Sequence, residues 1–302
     1  MAFDNIAKQT PINIRADAYF EAALRLSRLA AMTTRCVLDV AYGPRPEQRL
    51  DIWLPADTAL KALPVFINIH GGGWTHGYKE MMGLNAPAIV AFPAVYIAVE
   101  YRLAPAARHP AQVEDAALAL AWTFRNIARY GGDPSRIHIG GHSAGAHMAS
   151  LVALRPALRR GLPDDVVKSC FPYCGIYDLR AMHVYGQPEA ISPDSWLLSK
   201  PEDAAEASPI VWAAANTTPF FVVWAENDPQ LVRAEAPAFI AALQEGHGRV
   251  DGLMFPLFDH FWTHIDQQRP DNPWTQTLRA WMLGDPETTP VPRFEINARV
   301  PS

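Results

Sequence analysis

The stretch Arg136-Ile-His-Ile-Gly-Gly-His-Ser-Ala-Gly145 constrains the fold more than any other part of this chain. Ile137–Ile139 is a short β-branched run, and His147-Met-Ala-Ser-Leu-Val-Ala-Leu154 has helix-forming composition. Between them, Gly141-His-Ser-Ala-Gly145 places a serine at the apex of a strand-to-helix turn, the pattern of a nucleophile elbow. Glycines on either side of Ser143 let strand and helix pass closely enough to hold its hydroxyl outward. A glycine-rich turn that binds phosphate at a helix N-terminus would use the same local pattern. The partners of the serine decide between the two readings.

The flanking sequence alternates buried-strand and helix signals. Pro64–His70 and Ala94–Glu100 are continuous apolar runs, as expected of strands covered on both faces. Val167–Tyr177, Pro219–Trp224 and Gly252–Leu257 read as further strands. Ala111–Tyr130 has Val113, Ala117, Leu120, Phe124 and Ile127 at helical spacing and closes at Gly131-Gly132. Leu231–Gln244 and Trp274–Leu283 read as helices. Cys36–Tyr42 and Gln48–Leu54 form an antiparallel edge pair across Gly43-Pro-Arg-Pro46. This pattern predicts an α/β fold with a mostly parallel sheet of about eight strands and helices on both faces. Residues 12–35 read as one or two amphipathic helices with Ala18, Ala22, Leu26 and Leu29 as the apolar stripe. Residues 178–216, with prolines at 188, 193, 201 and 209, form an insertion, and the Pro-rich, charged tail after Gly284 is a surface extension.

Composition narrows the function. A net charge of −5, without a basic run, argues against nucleic-acid binding. No apolar run is long enough to insert in a membrane, and residues 1–8 lack a signal-peptide core, so the expected location is the cytoplasm. Cys36, Cys170 and Cys174 are too few for a disulfide framework and read as free thiols, the latter two in the core.

Four features follow predicted strands, where open α/β sheets place their sites: His70-Gly-Gly-Gly73, Ser143, Asp228 and His260. A serine hydroxyl needs a base to take its proton, and the base needs a carboxylate to fix its tautomer. Ser143, Asp228 and His260 occur in the order expected of an α/β-hydrolase. Asp178 also follows a strand, but chain position favours Asp228. Glu226 reads as a local loop partner and Asp259 as a surface residue. The amides of Gly72, Gly73 and Ala144 suit an oxyanion hole, with His70 and Arg102 bracing the loops beside it. Trp74, Tyr78, Phe261 and Trp262 are candidate pocket walls. His138/His142 and His260/His264 are four apart but form no His-Glu-x-x-His pattern, so no metal and no cofactor are expected.

His70-Gly-Gly-Gly-Trp74, Tyr101-Arg-Leu-Ala-Pro105, Gly141-His-Ser-Ala-Gly145, Glu226-Asn-Asp228 and Asp259-His260 together resemble the hormone-sensitive-lipase-like esterases and the arylformamidase (kynurenine formamidase) branch of the α/β-hydrolase fold. The resemblance covers roughly residues 36 to 283. Many of the esterases carry Asp before the nucleophile, where this chain has His142, and Gly-Gly after the Ala, where it has Gly145-Ala146. Those departures and Gly175-Ile-Tyr-Asp178 are similar to the formamidases, whereas the triple glycine and Tyr-Arg-Leu-Ala-Pro are similar to the esterases. The resemblance implies hydrolysis of small carboxylic esters, or alternatively of an aryl formamide such as N-formylkynurenine. It also implies a small helical cap from residues 1–35 and part of 178–216 over a catalytic domain at 36–284. A non-catalytic ligand-binding module on this fold is the reading from another class. A homodimer through exposed apolar residues on the last helix is a further expectation.

Overall fold

The computed structural model describes residue 3 and residues 6–180 and 196–291. Residues 181–195 of the insertion and 292–302 of the tail lie outside the described residues. The strands are β1 Cys36–Ala41, β2 Arg49–Trp53, β3 Leu63–Ile69, β4 Val95–Val99, β5 Gly132–His142, β6 Val167–Tyr173, β7 Phe220–Asn227 and β8 Val250–Asp259. The helices are α1 Ile14–Thr33, α2 Ala86–Val90, α3 Ala111–Asn126, α4 Ala144–Leu154, α5 Asp203–Glu206, α6 Pro209–Trp212, α7 Gln230–Leu243, α8 Trp262–Ile265 and α9 Pro273–Leu283.

The eight strands form one sheet in the order β1-β2-β4-β3-β5-β6-β7-β8. β1 and β2 make the expected antiparallel edge, and all pairings from β4 through β3 to β8 are parallel. Side chains alternate across the sheet, which separates the core into two layers. Ile67, Ile97, Ile139 and Val222 pack with Val113, Leu120, Met148, Leu151 and Phe239 of α3, α4 and α7. Their neighbours Phe66, Tyr96, Phe221 and Val223 face the other way, onto Tyr19 and Ala23 of α1, Ile89 of α2, and Trp274, Leu278 and Trp281 of α9.

Several boundaries differ from expectation for local reasons. β6 stops at Tyr173, and the backbone turns to φ +51° at Cys174 just beyond it. β8 extends to Asp259 because its end pairs with Asn227 of β7. Residues 12–35 hold one helix, Ile14–Thr33, N-capped by Asn13, whose Oδ1 accepts from the amides of Arg15 and Ala16. Its buried face is Ala16, Tyr19, Ala23, Ser27 and Ala30 rather than the expected stripe, and Leu29 is 52% exposed. Ser27 is accommodated because its hydroxyl donates to the Met81 carbonyl (3.2 Å) and accepts from the Leu84 amide (2.8 Å). The last helix, α9, buries Trp274, Leu278, Trp281 and Met282 and leaves Leu283 as its exposed large apolar residue. Among the described residues, no helix is long and apolar enough to cross a membrane.

Candidate active site

The elbow is built as its glycines require. β5 ends at His142, Ser143 takes φ +54° and ψ −117°, and α4 begins at Ala144. Positive φ at a non-glycine residue costs about 1–3 kcal/mol, which the surrounding packing must offset. The Ser143 amide donates to the Tyr173 carbonyl at 3.0 Å, tying the turn to β6. A Cβ on Gly145 would lie 2.0 Å from the Ile69 carbonyl oxygen, and one on Gly141 would lie 2.5 Å from the Gly145 backbone. Only glycine lets α4 start this close to β3.

The ends of β7 and β8 are adjacent, with Asn227 opposite Asp259, so the residues that follow them meet. His260 Nδ1 lies 2.7 Å from Asp228 Oδ1, and Asp228 Oδ2 accepts from the Ala225 amide at 2.6 Å. The Asp228 side chain is fully buried. A carboxylate accepts, so Nδ1 of His260 carries the proton and Nε2 keeps its lone pair. The competing acids lie elsewhere. Asp178 pairs with Arg180 at 2.8 Å, and Glu226 accepts from the Leu257 amide at 2.7 Å. Asp259 caps the start of α8 through the amides of Phe261 and Trp262 and pairs with Arg15 at 2.7 Å.

The glycine loop after β3 turns through φ +115° at Gly72, +60° at Gly73 and +60° at Trp74. A Cβ on Gly72 would stand 2.0 Å from the His76 carbonyl oxygen, so only glycine fits that position. The Gly72 carbonyl accepts from the amides of Thr75 and His76. His70 bonds the Gly71 carbonyl (2.7 Å) and Glu100 (2.9 Å) and stacks on Tyr101. Arg102 grips Asp115 through Nε and NH2, both at 2.8 Å. Among the described residues, none accepts a hydrogen bond from the amides of Gly72, Gly73 or Ala144. The Ala144 amide is also one of the unpaired donors at the N-terminus of α4.

Ser143, His260, Gly72 and Gly73 line one cavity of about 430 Å³. Trp74 and Phe261 line it as expected, but Tyr78 and Trp262 do not. The Tyr78 hydroxyl turns outward to donate to the Ala7 carbonyl. Trp262 opens α8 and faces a separate surface depression with Ala18, Ala22 and Leu257. The walls that the sequence reading missed are Ile12, Ala16, Tyr19 and Phe20 from the N-terminal segment, Trp196, Ile176, and Leu231 and Val232 at the start of α7. The period of residues 12–35 pointed to a helix, yet its several apolar sides concealed which one faces the site.

His142, Cys174 and His260 bring possible ligand atoms within 4.8 Å of one another. Their donors are committed elsewhere: Nδ1 of His260 to Asp228 and Nε2 of His142 to the His260 carbonyl. Burial, then the Asp228 charge, pushes the Cys174 thiol well above its usual range, which keeps it protonated and a poor ligand. Burial also lowers His142 well below the usual histidine range, with the neighbouring His260 and His264 acting in the same direction.

An eight-stranded, mostly parallel sheet with an elbow serine and an Asp–His pair at its strand ends defines an α/β-hydrolase. The BD-FAE family matches residues 50–243, and the chain belongs to that family. It is 38% identical to the esterase LipQ of Mycobacterium tuberculosis over 231 residues, 72% of this chain and 54% of the relative. The esterase LipC of the same organism is 30% identical over 76% of this chain and 60% of its own length. The isoprenylcysteine alpha-carbonyl methylesterase ICME of Arabidopsis thaliana is 29% identical over 72% and 54%. The chain thus spans little more than half the length of these curated relatives. Among solved structures, a hyperthermophilic esterase from the archaeon Pyrobaculum calidifontis superposes with a TM-score of 0.72 and 25% identity, covering 90% of this chain and 93% of that one. A thermophilic carboxylesterase cloned from a metagenomic library shares the fold, with a TM-score of 0.69, 24% identity and coverage of 88% and 97%.

Proposed function

We propose that this chain hydrolyses small carboxylic esters through an acyl-enzyme. Ser143 Oγ attacks the ester carbonyl while His260 Nε2 takes its proton and then delivers it to the departing alcohol. Asp228 holds His260 in the required tautomer and stabilises the imidazolium. The amides of Gly72, Gly73 and Ala144 receive the negative charge that develops on the carbonyl oxygen. A water, activated by the same histidine, releases the acid. The observation that carries this reading is the 2.7 Å contact between the buried Asp228 and His260 beside the strained Ser143 on one cavity. The names of the similar proteins support ester hydrolysis in particular. In this reading residues 1–35 and part of 178–216 serve as a cap over a catalytic domain at 36–284.

The cavity favours an uncharged substrate over the formamide alternative. Among its described lining residues none is Asp, Glu, Lys or Arg, and most of the walls are aromatic or aliphatic. N-formylkynurenine carries a carboxylate and an ammonium, and desolvating either without a partner costs several kcal/mol. An assay of p-nitrophenyl acetate, p-nitrophenyl octanoate and N-formylkynurenine, with Ser143→Ala as control, tests both points. Ester turnover abolished in the variant is the expected result. A formamide rate far above the ester rates would overturn the substrate assignment, and binding without turnover would place the chain among non-catalytic ligand-binding modules.

A further inference from the structure

The residue just before the serine makes a hydrogen bond that the triad does not require. His142 is 2% exposed, and its Nε2 lies 2.8 Å from the main-chain carbonyl oxygen of His260. A carbonyl only accepts, so Nε2 of His142 carries the proton and Nδ1 the lone pair. That lone pair faces the buried Tyr19 hydroxyl at 3.4 Å. The hydroxyl itself is closer to His264 Nδ1, at 2.8 Å, and His264 Nε2 lies 2.8 Å from Asn85 Oδ1. The His142 ring stacks on Tyr173, centroids 5.3 Å apart, and on His264 at 5.6 Å. Tyr173 is also the residue whose carbonyl accepts from the Ser143 amide.

We propose that His142 is a positioning residue for His260, donating from Nε2 to its main-chain carbonyl and so coupling the nucleophile elbow to the turn that carries the base. The proposal rests on the serine-hydrolase reading above. Asp228 fixes the His260 ring from the β7 side, and His142 fixes its backbone from the elbow side. Because His142 and Ser143 are consecutive on a rigid strand end, one bond sets the separation of nucleophile and base. The packing of Tyr173 and His264, with Tyr19 and Asn85 behind them, leaves the His142 ring one orientation. An aliphatic side chain could fill the same volume, but it would leave the His260 carbonyl without its donor.

The test compares His142→Leu, which keeps bulk without a donor, with His142→Gln, whose Nε2 can reach the same carbonyl. Both are assayed on p-nitrophenyl acetate in the full chain, with Ser143→Ala alongside. A misplacement of about 1 Å can cost on the order of 100-fold, so H142L is expected to lose kcat on that scale with KM little changed. H142Q is expected to recover most of the loss. The downfield NMR resonance of the His260 Nδ1 proton should persist in H142Q and shift or broaden in H142L. Should H142L fail to fold, His142→Asn, whose amide is too short to reach, must show the same kcat loss. Equal rates in the Gln and donor-lacking variants, or an effect confined to KM, would overturn the proposal. Undiminished turnover in Ser143→Ala would instead overturn the hydrolase mechanism beneath it.

Discussion

Tyr19 stacks on Phe261 with ring centroids 4.8 Å apart and planes 24° from parallel. The first long helix therefore packs on the residue that follows His260. The same segment reaches the glycine loop, where the Gln9 amide group pairs with both backbone groups of Gly77, at 3.0 Å and 2.8 Å. One strand of chain thus bridges the two sides of the cavity. Tyr19→Ala is expected to cost about 3 kcal/mol, in the range for removing a buried aromatic ring, and to raise KM for esters. Tyr19→Phe keeps the stack but leaves His264 Nδ1 unpaired, a cost of roughly 1–3 kcal/mol. Urea denaturation and steady-state kinetics of both variants check the order.

Asp228→Asn separates geometry from charge. The amide nearly preserves the volume and the contact with the Ala225 amide, but it favours the wrong tautomer of His260. The expected loss in kcat is on the order of 10⁴-fold, as for the equivalent role in other Ser-His-Asp enzymes, with little change in KM. Asp178→Asn, which removes the acid paired with Arg180, should leave kcat within a few-fold, and the two rates side by side decide which acid serves His260.

Glu235 predicts a pH dependence of stability. Its Oε2 accepts from the Tyr177 amide (2.5 Å) and the Asp178 amide (3.0 Å), while Oε1 is buried without a partner among the described residues. Burial pushes its pKa up from 4.5 to about 7. The native state thus holds a proton between pH 4.5 and 7 that the unfolded chain releases. This contribution is full below pH 4.5 and is lost as the pH rises through 7. Glu235→Gln stays neutral throughout, so its stability relative to the parent should improve by about 2–3 kcal/mol between pH 4.5 and pH 8. Denaturation curves at both pH values read the difference.

The buried histidines act in the opposite sense. Burial lowers His138, His147 and His264 to about 3 and His109 to about 4. Their neutral forms contribute stability that is present above pH 6.5 and lost as the pH falls through 4 to 3. Acid unfolding should take up several protons, measurable by potentiometric titration. His138 bonds Ser169 at 2.6 Å and lies away from the cavity. His138→Gln should flatten this acid limb while leaving ester turnover at pH 7 unchanged.

Gly145→Ala tests the close approach of α4. The added methyl would stand 2.0 Å from the Ile69 carbonyl oxygen, a backbone atom with no flexible side chain to yield. Forcing α4 away is expected to cost about 1–3 kcal/mol or more and to abolish turnover by moving Ser143. A melting curve together with the ester assay detects both effects.

The strands, the serine elbow and the chain order of Ser143, Asp228 and His260 were legible because their signals are local. A strand buried on both faces must be apolar throughout, and a turn at positive φ beside a crossing helix must have glycine neighbours. Both demands act on residues next to one another in the chain. The burial of Tyr19 and the second role we infer for His142 were not legible. Each depends on a surface supplied from far along the chain. Ser27 is buried because the Met81 carbonyl and the Leu84 amide await it, and Tyr78 faces away from the cavity because the Ala7 carbonyl draws its hydroxyl outward. A helix with apolar residues on several sides has no preferred face until another surface meets it, so the cavity walls were decided only when the sheet, α1 and α8 came together.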